Sequence, residues 1–181
     1  MGSGASVDWD KPFLLVVQHP VTTSYGSGRR QILETLYAVA GFPEYQKVVL
    51  WPNADAGSDD VSKGIREFKE KNRQLKFSYF KNFSPEDYAR LLKKTACCVG
   101  NSSSFIREGS FLGKPVVLIG DRQKGREMST NCIQVPYRKN EIKNAIKYQL
   151  SIKKYKKSKL FGAANVGKKI AYILDKIINE T

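Results

Sequence analysis

The chain reads as an α/β domain, a doubly wound and mostly parallel sheet of about six strands with helices on both faces. Three observations predict it. Short apolar, β-rich runs alternate with amphipathic stretches of helical period, the rhythm of strand and crossover helix in a parallel sheet. Several runs are apolar throughout instead of alternating, as burial on both faces requires. Capping and stop residues punctuate the joints between them.

The runs place strands at 13–18, 47–51, 75–79, 96–99, 115–119 and 132–135. A first helix spans 28–40, with Ser27 as its cap, Ile32, Leu33, Leu36, Tyr37 and Ala40 at helical spacing, and Gly41 as its stop. A second, at 58–72, sets Val61, Ile65 and Phe68 on one face. The clearest start is Ser84-Pro85-Glu86-Asp87, an N-cap followed by Pro at the first helical position and acids in the first turn, leading to Tyr88, Leu91 and Leu92. Helices at 105–112, 140–152 and 166–178 complete the set. Residues 1–8 are small and aperiodic and read as a leader outside the fold, which leaves 9–181 as one domain.

Composition excludes several classes. No run of about 18 apolar residues exists to cross a bilayer, and the apolar stretch at 13–17 is too short for a signal peptide, so a cytoplasmic location without a membrane partner is expected. Cys97 and Cys98 are adjacent in an apolar run and Cys132 stands alone, which assembles neither a disulfide framework nor a zinc site and reads as buried reduced thiols. The net charge of +14 invites a nucleic-acid reading. Its distribution argues against one: most of the excess follows Arg138, in lysines placed on helices with apolar stripes, and no aromatic platform accompanies them.

In doubly wound sheets ligands bind beyond the carboxyl ends of the strands, so the residues after each strand are the informative ones. The only histidine, His19, stands there within Gln18-His19-Pro20-Val21-Thr22-Thr23. Asn53 follows the second strand in Pro52-Asn53-Ala54-Asp55-Ala56-Gly57, which by spacing alone is equally ordinary turn chemistry. After the fourth strand, Gly100-Asn101-Ser102-Ser103 runs straight into a helix, joining free N–H groups, hydroxyls and the positive end of a helix dipole at one point, the requirements for holding a diphosphate. Glu108, on that helix, suits a pair of ribose hydroxyls. After the fifth strand, Gly120-Asp121-Arg122-Gln123-Lys124-Gly125-Arg126-Glu127 offers two arginines for charge-assisted bonds, or a solvated basic loop.

Taken together and in order, these four motifs resemble those of UDP-N-acetylglucosamine 2-epimerases, in particular the C-terminal domain of a two-domain, glycosyltransferase-B-type fold. The resemblance implies a Rossmann-like domain in which His19, Asn53, Ser102, Ser103, Glu108 and Arg122 contact UDP or the sugar, and Phe83 and Tyr88 enclose the uracil. It implies no metal or nicotinamide cofactor: UDP is eliminated to leave a glycal, to which water or UDP then adds. Asn101-Ser102-Ser103 and Arg107 look more like the hydrolysing branch, which yields N-acetylmannosamine and UDP for sialic-acid-type sugars. The acid and base carboxylates belong to the family's N-terminal domain, the implied partner, so this chain alone is expected to bind UDP and UDP-GlcNAc without turnover, with His19 the nearest thing to a catalytic residue. The full-length protein is expected to be a homo-oligomer.

Two departures from the family pattern stand out. Phe105 occupies a usual glycine near the phosphates, and Phe161-Gly162-Ala163-Ala164 replaces a usual Tyr-Gly-Asp-Gly. The competing readings are the donor-binding domain of a B-type glycosyltransferase and a basic nucleic-acid module.

Overall fold

A computed structural model describes residues 2–21, 26–162 and 165–179. Parallel strands β2 (Phe13–Val17), β3 (Gln46–Leu50), β4 (Phe77–Phe80), β5 (Cys97–Gly100), β6 (Val116–Ile119) and β7 (Cys132–Val135) form the sheet, and β1 (Gly2–Gly4) adds an antiparallel edge. The order is β1-β4-β3-β2-β5-β6-β7. From β2 the chain winds outward to β3 and β4, then crosses back to β5, β6 and β7, so the topological switch point lies between β2 and β5.

The sheet has seven strands where the sequence predicts about six. The extra one falls in the leader: Gly2–Gly4 pairs with Phe80, Tyr79 and Ser78 through backbone alone, so no side-chain pattern marks it. The six internal strands stand where their apolar runs put them. The largest shift is in β4, which is entered at Phe77 instead of residue 75.

Every residue of β2 is buried, and its pleat divides the core in two. Leu14 and Val16 point to one face, under α1 (Gly28–Ala40), α2 (Ser58–Lys71) and α5 (Lys139–Ile152), where they meet Ile32, Leu36, Phe68 and Ile146. Phe13, Leu15 and Val17 point to the other, under α3 (Pro85–Lys94) and α4 (Ser103–Leu112), with Leu91, Leu92, Phe105 and Ile106. Two-sided burial is what the uninterrupted apolar runs demand.

The capping expectations divide. Ser84 accepts a bond from the Asp87 N–H with Pro85 behind it, as read. Ser27 occupies the first cap without making a side-chain bond; Asp60 Oδ2 instead takes the Arg29 N–H at 2.9 Å, so a neighbouring helix supplies the acceptor. α4 begins at Ser103, two residues before the expected start.

Cys97 and Cys98 are buried free thiols, but Cys132 is only half-buried. The lysines at 153–159 lie on a non-helical strap between α5 and α6 (Val166–Asn179) and not on helices as read. The strap is held by Tyr155 N–H to Gly113 O and Ser158 N–H to Ser110 O, both 2.9 Å. α6 buries none of its residues. No helix among the described residues is long and apolar enough to cross a membrane.

Candidate functional site

The site forms where β2 and β5 part. Gly100 ends β5 with φ 141°, and the Asn101 N–H then donates to Val17 O at 3.1 Å. This carries the fully buried Asn101 side chain across to the loop after β2. Asn101 Oδ1 accepts the His19 N–H at 2.7 Å while Nδ2 donates to His19 O at 2.9 Å. One carboxamide thus clamps both backbone groups of His19.

Three further loops join this clamp. The Asn53 N–H, after β3, donates to His19 Nδ1 at 3.4 Å. Gln123 Nε2, after β6, donates to Asn101 O at 2.8 Å. Tyr137, just after β7, receives a longer bond from Asn101 Nδ2 at 3.4 Å. Gln123 Oε1 is the buried side-chain polar atom without a partner among the described residues. Burial, then the Arg122 charge, hold the His19 imidazole below its ordinary pKa, with Asp55 working in the opposite direction. Near neutral pH it is an uncharged donor and acceptor.

The α4 N-terminus lies beside this cluster. Ser102 is its N-cap but makes no capping bond; its hydroxyl sits 2.8 Å from Ser104 Oγ, which in turn is 2.6 Å from Tyr88 OH. Burial pushes the Tyr88 hydroxyl up to about 12, with the Ser104 bond opposing, so it remains a neutral partner. Ser103 is half-buried at the first helical position. The ring of Phe105 turns the other way, fully buried in the core with Leu15 and Ile106, so it does not project among the loops at the helix N-terminus.

Arg122 and Asp55 face each other at 3.4 Å across the mouth of a cleft of about 560 Å³, which Pro20, Val21, Ala56, Asp121 and Lys124 also line. Of the residues singled out in the sequence, the fold brings His19, Asn53, Ser102, Ser103 and Arg122 to this end of the sheet, and Ser104 links Tyr88 to Ser102 there. Glu108 lines a separate hollow of about 190 Å³ with Arg107, Phe111, Ser158 and Phe161. Phe83 packs on Phe80 with ring centroids 4.8 Å apart and lines a hollow with Trp9, while Tyr88 packs against the same core cluster and bonds to Ser104. Thr22, Thr23, Ala163 and Ala164 lie outside the described residues. Sequence reasoning did not single out Asn101, Gln123 or Tyr137 individually, although each follows a strand end and so meets the same positional rule.

The doubly wound parallel sheet, with these loops gathered at the carboxyl ends of its strands around the β2–β5 switch point, defines a Rossmann-like α/β domain. The chain belongs to the UDP-N-acetylglucosamine 2-epimerase family, whose sequence model matches residues 3–175. It is 36% identical over 137 residues to the polysialic acid biosynthesis protein P7 of Escherichia coli, covering 75% of this chain and 34% of that protein. It is 31% identical over 124 residues to a hydrolysing GDP/UDP-N,N'-diacetylbacillosamine 2-epimerase of Campylobacter jejuni, covering 68% of this chain and 32% of that one. Among solved structures, the UDP-GlcNAc 2-epimerase of Methanocaldococcus jannaschii in complex with UDP-GlcNAc and UDP superposes with a TM-score of 0.73 at 16% identity, over 92% of this chain and 46% of that one. The chain therefore spans about a third of the curated relatives and about half of the solved one.

Proposed function

We propose that this domain binds UDP and UDP-N-acetylglucosamine as the nucleotide half of a hydrolysing 2-epimerase. The observation that carries the reading is the convergence of His19, the Ser102-Ser103 turn and Arg122 at the switch point, where the α4 dipole adds its positive end.

In this reading the diphosphate lies over the α4 N-terminus, held by the first-turn N–H groups and the hydroxyls of Ser102 and Ser103. Arg122 exchanges its exposed partner Asp55 for a phosphate, a stronger charge-assisted contact. His19, kept neutral, donates to the departing phosphate and offsets charge that develops as the bond to the sugar breaks. Asn53 fixes the imidazole from behind. Glu108 takes the ribose hydroxyls, which places the nucleoside along α4, with Tyr88 and then Phe83 toward the base. No metal or nicotinamide is needed, since elimination of UDP and addition of water move only protons and a leaving group. The acid and base carboxylates come from the remainder of a family member, so the domain alone binds without turnover. The hydrolysing diacetylbacillosamine relative supports a hydrolytic outcome, which on UDP-N-acetylglucosamine releases N-acetylmannosamine and UDP. The reading places this in a cytoplasmic, oligomeric full-length enzyme.

Thermal melts with UDP test this. At a hundred times its Kd, UDP stabilises by about 2.7 kcal/mol, which raises the midpoint by roughly 5–10 °C for a domain of this size. A duplex DNA fragment should give no shift once salt is raised. A shift with DNA and none with UDP contradicts the assignment.

A further inference from the structure

Asn101 is wholly buried, and its side chain makes more site contacts than any of the expected ligand residues. Its Oδ1 and Nδ2 take up the backbone N–H and C=O of His19 at 2.7 and 2.9 Å, its own N–H ties to Val17 O, and its carbonyl receives Gln123 Nε2. The residue next along is Ser102, cap of α4. Any movement of the α4 turn therefore carries the His19 backbone with it.

We propose that Asn101 is the positioning residue of the site: its carboxamide locks the His19 loop to the α4 turn, so that the imidazole turns Nδ1 to the Asn53 N–H and presents Nε2–H to the ligand. Only an amide can do this, because His19 offers one donor and one acceptor that must be met together. A carboxylate would face His19 O without a hydrogen, and a hydroxyl spans only one of the two groups. The charged groups that act on the imidazole are Arg122 and Asp55, from the loops after β6 and β3, with the neutral Tyr137 reaching it through Asn101. The presentation of Nε2–H to phosphate rests on the nucleotide reading above; the clamp itself does not.

His19 is the only histidine, so one imidazole spectrum reports the site without assignment. Long-range 1H–15N spectra of the uniformly 15N-labelled chain at pH 8, above the ordinary imidazole range, should show a single neutral tautomer protonated on Nε2, and titration toward acid should begin below pH 6.5. A tautomer mixture, or a proton on Nδ1, in the unmodified protein overturns the proposal, even if no variant folds. In Asn101→Ser the tautomers should mix, and in Asn101→Asp the imidazole should titrate at higher pH. Phe105→Leu, a core truncation that touches no atom of the clamp, should melt lower yet keep the wild-type spectrum. UDP affinity should fall roughly tenfold in Asn101→Ser, the scale of one or two buried bonds. Asn101 variants that melt lower yet keep the wild-type tautomer and titration reduce Asn101 to a structural residue and contradict the proposal. A correct tautomer in a protein that shows no heat with UDP upholds the clamp and removes only the nucleotide reading.

Discussion

Gly100→Ala is the sharpest test of how the switch point is built. Gly100 has φ 141°, a conformation that L side chains rarely adopt, and an added Cβ would lie 2.0 Å from Val17 O and 2.7 Å from Val17 C. Both neighbours are backbone of the central strand, so no rotamer change relieves the clash. Holding a non-glycine residue there costs about 1–3 kcal/mol. Displacing β5 from β2 loosens the Asn101 N–H bond to Val17 O, another ~1–3 kcal/mol for a buried pair. The two together come to about 4 kcal/mol, a large part of the 5–15 kcal/mol that holds a domain folded. At ~2–4 °C per kcal/mol the midpoint should drop by roughly 8–16 °C in a circular-dichroism melt. Gly125 is the control, because it also has positive φ, 82°, yet a Cβ there meets nothing within 4 Å. Gly125→Ala should lose only ~2–4 °C, from about 1 kcal/mol of backbone strain. Equal losses in the two variants would refute the close approach of β5 to β2.

Burial and Arg122 hold His19 below its ordinary 6.5, so below that pH the unfolded chain takes up the proton more readily; the stability His19 contributes is complete above pH 6.5 and is lost as pH falls through the folded-state value. Urea midpoints between pH 7.5 and 5 should therefore fall more steeply for wild type than for His19→Gln, and identical slopes contradict the burial of the imidazole. Phe105→Leu should destabilise by about 1–3 kcal/mol as a core truncation while leaving UDP affinity within about twofold, since the ring faces Leu15 and Ile106. A tenfold change in affinity at unchanged stability would return Phe105 to the phosphate site.

The sheet was legible because its strands are buried on both faces and carry unbroken apolar runs, as in Phe13–Val17 and Val116–Ile119. β1 was not, because a Gly-Ser-Gly edge pairs through backbone and leaves no pattern in its side chains. Ser27 shows the limit of local capping rules: Asp60, distant in sequence, takes the donor that Ser27 was expected to hold. The placement of His19, Ser102, Ser103 and Arg122 at one end of the sheet was readable from their positions after strands. The clamp was not, since Asn101 and His19 are 82 residues apart and only the β2–β5 pairing brings them together. Phe83 and Glu108 line hollows apart from the Arg122 cleft, a grouping that the strand-end rule does not address.

Isothermal titration of UDP into the chain tests the central claim most directly. A saturable 1:1 heat is expected, weakened at least tenfold by Arg122→Ala, about 1.4 kcal/mol for one charge-assisted contact. No heat with UDP at concentrations of about 1 mM, or equal binding by the variant, contradicts a diphosphate site at the head of α4.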